Sequence, residues 1–81
     1  MARVLLFGRL ADIAGWRERR IEPSPATLKD LKDVLTRLDP DLGQALSSKG
    51  VQAAVNRVLV RGDQPLAAGV EVAFMPPMSG G

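Results

Sequence analysis

The sequence predicts an α+β fold in which one main helix lies across one face of a mixed sheet of four to five strands. Two observations support this prediction. Leucines recur at helical spacing in one stretch, residues 28–38, as on the buried side of an amphipathic helix. The other apolar runs are short and are bounded by glycine, proline or polar turn residues, which is typical of strands.

The predicted strands differ in how apolar they are. The first and the last are the most continuously apolar, which is typical of strands at the centre of a sheet. A central pair that comes from opposite ends of the chain would run parallel. A tight turn is expected at Asn56-Arg57, between two short strands. The predicted strands span residues 3–8, 16–22, 51–55, 58–60 and 70–75.

The main helix has a clear start and a clear end. The Thr27 hydroxyl is placed to accept a hydrogen bond from the amide of Asp30, as in a capping box with Asp in place of Glu. Asp39-Pro40 stops the helix, because the residue before a proline disfavours helical backbone. The buried stripe is expected to consist of Leu28, Leu31, Leu35 and Leu38, with Val34 beside them.

Two shorter segments flank these elements. Residues 10–15 are expected to form one helical turn ended by Gly15, or a broad loop. Residues 41–46 are expected to add a short helical turn. The resulting order of strand, strand, long helix and two or three strands is that of the β-grasp fold of ubiquitin-like domains. We expect this domain to cover residues 1–75.

Composition narrows the classes of function. The chain has no Cys and no His, so it lacks thiol chemistry, thiolate metal ligands and the commonest general base. Its formal charge is +2 and it has three aromatic residues, which is a poor match to a nucleic-acid footprint. No apolar run approaches the ~20 residues of a membrane span. We expect a cytoplasmic protein with no metal site, no nucleic-acid partner and no membrane partner.

Residues 76–81 are predicted to form an extended tail. Pro76 and Pro77 restrict the backbone and are expected to hold the tail straight and away from the body of the domain. Ser79, Gly80 and Gly81 add little side-chain bulk, so this end can enter a narrow channel.

Apolar side chains near the tail are candidates for binding a partner, since Met and aromatic residues are enriched at interface cores. For Phe74 a place in the protein core is an equally good interpretation. The predicted partner-binding residues are Phe74, Met75, Pro76, Pro77 and Met78.

Four segments together, residues 3–7, 53–56, 69–74 and 76–81, resemble the MoaD group of β-grasp sulfur carriers, which are small subunits of molybdopterin synthase. The last segment, Pro-Pro-Met-Ser-Gly-Gly, matches the family pattern Pro-Pro-x-Ser/Thr-Gly-Gly. Many members carry Phe or a larger apolar residue where this chain has Met75.

The resemblance implies a mechanism centred on Gly81. A MoeB-type adenylyltransferase would use ATP to adenylate its carboxylate, and a persulfide donor would convert the adenylate to a thiocarboxylate. A MoaE-type large subunit would accept the tail in its active site, with Ser79 and Gly80 threading the channel that leads to it. There the sulfur would pass to cyclic pyranopterin monophosphate. The resemblance also implies a complex of two small and two large subunits, with no cofactor bound by this chain and no catalysis by it alone.

Three other functions stay open at this point. The chain resembles ThiS-type carriers for thiamine thiazole synthesis, although the Pro-Pro pair and the chain length favour the molybdopterin group. It is also similar to ubiquitin-like modifiers, which attach to lysine through their last glycine. Finally, it suits a simple interaction module whose tail is incidental.

Overall fold

The computed structural model describes residues 1–77, which form five strands and three helices. In chain order these are β1 (Ala2–Leu6), α1 (Arg9–Ala14), β2 (Glu18–Ile21), α2 (Leu28–Leu38), α3 (Pro40–Leu46), β3 (Gln52–Val55), β4 (Val58–Val60) and β5 (Glu71–Met75).

The strands form one mixed sheet in the order β2-β1-β5-β3-β4. β1 and β5 pair in parallel, with Val4 opposite Val72 and Leu6 opposite Phe74. All the other pairings are antiparallel. The predicted β-grasp arrangement is therefore confirmed, with the first and last strands adjacent and β5 in the middle of the sheet.

One side of the sheet and the helices enclose the core. Burial alternates along β1, where Ala2, Val4 and Leu6 are buried and the residues between them are half-buried, because successive side chains of a strand point to opposite faces. From β5, Val72 and Phe74 enter the same core with no exposed surface. The helices contribute Leu10, Leu28, Leu31, Leu35, Leu42 and Leu46.

The main helix begins as predicted and loses its last core contact earlier than predicted. The Thr27 hydroxyl accepts from the Asp30 amide at 3.1 Å, and Leu28, Leu31 and Leu35 are buried. Leu38 is 52% exposed, so its expected burial is wrong. The chain turns at Asp39 into α3, whose leucines fill the core at that end, and the last turn of α2 is left outside.

Asp39 joins the two helices. It is the C-cap of α2, and its carboxylate accepts from the amides of Asp41 at 3.1 Å and Leu42 at 3.2 Å. Pro40 suits the first turn of α3 because the amide it lacks would have no partner within the helix. The predicted short helical turn is therefore a helix of seven residues. Residues 9–14 likewise form a helix, which ends at Gly15 in a left-handed conformation.

The predicted tight turn is the tip of the β3–β4 hairpin. Asn56 and Arg57 have φ values of 49° and 69°, as a two-residue hairpin turn requires. The Asn56 side chain also accepts a hydrogen bond from the Glu71 amide at 3.0 Å. The turn residue therefore ties the hairpin to the central strand.

A loop distant in sequence completes the cap of α2. The Asp63 carboxylate, within an Arg-Gly-Asp tripeptide, accepts from the amides of Lys29 and Gln64, each at 2.9 Å. The Gln64 carbonyl accepts from the Leu28 amide at 2.8 Å. This aspartate therefore satisfies a helix amide that has no partner within α2.

Replacing Asp63 with Ala should lower the free energy of unfolding by about 1 kcal/mol, as for loss of an N-terminal helix cap. For a chain of this size that corresponds to a fall in Tm of roughly 4–8 °C. The matched control is Asp33→Ala, at an exposed position of the same helix, where a change within about 0.5 kcal/mol is expected. Equal effects in thermal denaturation would contradict the assigned cap.

Candidate functional site

The candidate site is the place where the chain leaves the sheet after β5. β1 runs parallel to β5 and β3 runs antiparallel to it, with Gln52 opposite Met75. The end of β1 and the start of β3 therefore lie at the same edge of the sheet as the end of β5. Pro76 and Pro77 emerge between the loop that follows β1 and the loop that precedes β3.

Both prolines pack against these loops. A methyl group added at Gly8 would lie 3.0 Å from Pro76 Cγ, and one added at Gly50 would lie 3.0 Å from Pro77 Cβ. Pro76 is half-buried and Pro77 is exposed. The sequence predicts that Pro76 and Pro77 hold the tail away from the body. The two prolines themselves lie against Gly8 and Gly50, so the prediction is wrong for this first part of the tail.

The rest of the predicted tail lies outside the described residues. This applies to the partner-binding role of Met78, the threading role of Ser79 and Gly80, and the adenylation and thiocarboxylation of Gly81. These roles stay predictions, as does the division of the chain at residue 75.

The two side chains just before the prolines differ in exposure. Phe74 has no exposed surface and lies in the core, so of the two roles that the sequence left open the structure assigns it the core. This corrects its place among the predicted partner-binding residues. Met75 is half-buried and belongs to the face of the sheet that the helices do not cover. We call that face the open face.

The open face carries a row of apolar residues. Leu5, Ala73, Ala54 and Leu59 lie opposite one another in register across β1, β5, β3 and β4. Ala54 and Ala73 are buried yet lie outside the core cluster. Leu59 is 60% exposed.

Phe7 extends this apolar surface toward the tail. It directly follows β1, its amide donates to the Phe74 carbonyl at 3.2 Å, and it is 49% exposed. From the sequence alone, Phe7 is assigned only to a strand. Its position beside the last strand depends on the β1–β5 pairing, which the local sequence does not specify. An aromatic residue just before a glycine was the one feature of the sequence that could have marked it as a candidate. We call Leu5, Phe7, Ala54, Leu59, Ala73 and Met75 the apolar platform.

The end of the open face farther from the tail is charged. There Arg3 pairs with Glu71 at 3.5 Å, and Arg57 pairs with Glu71 at 3.6 Å. Arg3 also pairs at 3.2 Å with Glu18, which lies opposite Leu5 on β2. Each such surface pair contributes at most about 1 kcal/mol. Their main effect here is to make the two ends of the open face different, because the far end is charged and the platform residues beside the tail are apolar.

The described residues present no group of three or more His, Cys, Asp or Glu side chains arranged to hold a metal ion. Over the same part of the chain, no helix combines the length and the apolar character needed to cross a membrane. At this site the described residues offer an apolar surface beside Pro76 and Pro77.

The chain is similar to proteins of a known family. Residues 4–81 match the ThiS family. The chain belongs to the ThiS family. Among curated proteins, this family member is 33% identical to the molybdopterin synthase sulfur carrier subunit of Escherichia coli K12, over all 81 residues and the full length of both chains.

Two solved structures show the shared fold. SAMP1 of Haloferax volcanii, a small archaeal modifier protein, is 30% identical and superposes with a TM-score of 0.83 over 99% of this chain and 98% of that one. The complex of subunits 1 and 2 of the molybdopterin-converting factor of Helicobacter pylori contains a chain 23% identical, with a TM-score of 0.70 over 99% of this chain and 97% of that one. These neighbours are consistent with a ubiquitin-like β-grasp domain.

The contrast between Phe74 and Met75 can be tested by alanine substitution. Phe74→Ala should lower the free energy of unfolding by about 3–5 kcal/mol, because it empties a fully enclosed core position. Met75→Ala should cost about 1 kcal/mol, the usual effect of a single substitution. Urea denaturation measures both. Similar losses for the two variants would mean that the two side chains are not divided between core and open face.

Proposed function

We propose that this ThiS-family chain is a sulfur carrier for molybdenum cofactor biosynthesis. The observation that carries the proposal is its 33% identity, end to end, with a molybdopterin synthase sulfur carrier subunit. Because the match covers the whole of both chains, it supports Gly81 as the reacting residue. The sequence Ser79-Gly80-Gly81 is suited to a narrow acceptor channel, since glycine lets a backbone approach another surface closely.

The proposed chemistry takes place on the Gly81 carboxylate. A MoeB-type adenylyltransferase joins this carboxylate to AMP from ATP and releases pyrophosphate. The mixed anhydride has a good leaving group, so hydrosulfide, or a persulfide followed by thiol reduction, displaces AMP and leaves a thiocarboxylate. The sulfur then passes to cyclic pyranopterin monophosphate, and two rounds supply the two dithiolene sulfurs.

This chemistry requires no side chain of the carrier. The sulfur is carried on the main chain, which suits a sequence with no Cys and no His. In this proposal the carrier binds no cofactor, ATP is used by the activating enzyme, and the catalytic groups for sulfur transfer belong to the large subunit.

The apolar platform is the proposed docking surface for that large subunit. It lies next to the root of the tail, so a partner seated on it would be close to the segment that follows Pro77. The H. pylori protein of the same fold forms a complex between subunits 1 and 2, which supports a MoaE-type partner. A complex of two small and two large subunits is proposed from the resemblance to the MoaD group.

Incubation with a MoeB-type enzyme, ATP and sulfide should increase the intact mass by the difference between sulfur and oxygen. The increase should map to the peptide that ends at Gly81. A variant lacking Gly81 should show no increase and should keep the Tm of the parent chain, since the change leaves residues 1–77 intact.

Two results would contradict the carrier chemistry. One is an unchanged mass of the parent chain with an activating enzyme proven on another carrier. The other is a variant without Gly81 that still supports full molybdopterin synthesis, which would favour an interaction module with an incidental tail.

The docking surface can be tested with two matched substitutions. Phe7 is 49% exposed beside the tail, and Leu38 is 52% exposed at the end of α2. Phe7→Asp should weaken binding of the large subunit by about tenfold or more, since it puts a charge into an apolar contact. Leu38→Asp should leave binding unchanged. Isothermal titration calorimetry measures both, and equal effects would remove the platform from the interface.

A second candidate function is protein modification through Gly81. The observation that favours it is the 30% identity with SAMP1. A ThiS-type role in thiazole synthesis is the third, and it is favoured by the family match itself. Activated chain should be offered separately to the large subunit with pterin, to a thiazole synthase and to lysine-bearing proteins. Molybdopterin as the main product supports the proposal, whereas thiazole or isopeptide-linked adducts as the main product would replace it.

A further inference from the structure

Two glycines from different loops contact the two prolines that follow β5. Gly8, in the loop after β1, has a φ of +56° and faces the ring of Pro76. Gly50, in the loop before β3, has a φ of +90° and faces Pro77. We call Gly8, Gly50, Pro76 and Pro77 the proline seat.

The contacts of the seat leave little space for a side chain. A Cβ at Gly8 would lie 3.0 Å from Pro76 Cγ and 3.7 Å from Cδ. A Cβ at Gly50 would lie 3.0 Å from Pro77 Cβ, 3.2 Å from Cγ and 3.7 Å from Cα. A Cβ atom in a protein rarely lies as close as 3.0 Å to such a neighbouring heavy atom, so the proline would have to move by a few tenths of an ångström. A proline ring cannot swing aside as a flexible side chain does, because it is closed on the backbone.

We infer that Gly8 and Gly50 are positioning residues for sulfur transfer, because they seat the two prolines and thereby fix the direction in which the chain leaves Pro77. This inference rests on the proposed function. The two glycines approach from the strands on either side of β5, so together they restrain the root from both sides.

A small change at the root has a large effect at the reacting residue. The four residues beyond Pro77 can span at most about 14 Å, so a rotation at the root is amplified along their length. A misplacement of about 1 Å is enough to cost up to roughly 100-fold in rate at a reacting centre. The seat is therefore expected to act on turnover, while the apolar platform acts on binding.

The chain offers matched controls for the backbone strain that alanine introduces at positive φ. Gly62 has a φ of +69° and Gly69 a φ of +77°, and in both cases an added Cβ would have no atom within 4 Å. Gly62→Ala and Gly69→Ala therefore introduce left-handed strain without touching a proline. Comparison with Gly8→Ala and Gly50→Ala isolates the contact from the strain.

The first arm of the experiment needs no partner. NMR of the parent chain should show NOEs between the Gly8 Hα and Pro76 ring protons, and between the Gly50 Hα and Pro77 ring protons. Gly50→Ala and Gly8→Ala should shift the resonances of residues 76–81, while Gly62→Ala and Gly69→Ala should leave those resonances in place. Absence of the NOEs in the parent chain overturns the seat.

The second arm is single-turnover sulfur transfer from the thiocarboxylated chain at saturating large subunit. Gly50→Ala and Gly8→Ala should lower the transfer rate about tenfold or more, with the dissociation constant for the large subunit unchanged. The two control variants should transfer at the parent rate. Variants that show shifted tail resonances and normal transfer would overturn the positioning role.

A double variant tests the contact itself, and Gly50→Ala covers the case in which Gly8→Ala folds poorly. Pro76→Ala removes the Cγ and Cδ that an added Cβ at Gly8 would meet. Adding Gly8→Ala to Pro76→Ala should therefore cost less transfer rate than adding it to the parent chain. Equal costs in the two backgrounds would assign the effect to backbone strain and overturn the inference.

The two proposals fail in different ways. A parent chain that transfers no sulfur to any acceptor contradicts the proposed function. The NMR contacts are measured on the isolated chain, so they support or overturn the seat whatever the transfer assay shows.

Discussion

The parallel pairing of β1 with β5 is the constraint on which the rest of this structure depends. It brings together segments from the two ends of the chain, with Val4 opposite Val72 and Leu6 opposite Phe74. These side chains enter one core with the leucines of α2 and α3. Fully burying an apolar side chain of this size contributes roughly 1.5–3 kcal/mol, so the central pair and the helix across it stabilise each other. The elements between these two strands in sequence form the long connection that a parallel pair requires.

The same pairing determines where the site lies. Because β5 has a neighbour on each side, the chain that follows it emerges between two loops and contacts both. An edge strand would have been restrained on one side only. The β1–β5 pairing also brings Phe7 beside the last strand, which adds an aromatic side chain to the open face at the root of the tail.

Because side chains alternate along each strand, the two faces of the sheet have different roles. One face is enclosed with the helices and supplies stability, and the other carries the apolar platform near the tail and the ion pairs of Arg3, Glu71 and Arg57 at the far end. Apolar contact favours binding because it removes apolar surface from water. The surface ion pairs add little stability, and they make the far end of the face charged.

The sequence by itself determined the element order, the start and end of α2, the Asn56-Arg57 turn and the fold class, because capping, turn chemistry and hydrophobic spacing are local. It also indicated the family, through four segments spread along the chain. Tertiary structure decided what depends on contacts between distant residues. Leu38 is exposed because α3 supplies the core at that end of α2, and Phe74 is buried because the parallel pairing turns it toward the helices. The platform and the proline seat join residues from β1, β3, β4, β5 and the loops beside them, and no local pattern specifies how these strands pair. Asp63 caps a helix 34 residues away for the same reason, since only the folded chain brings that loop to the first turn of α2.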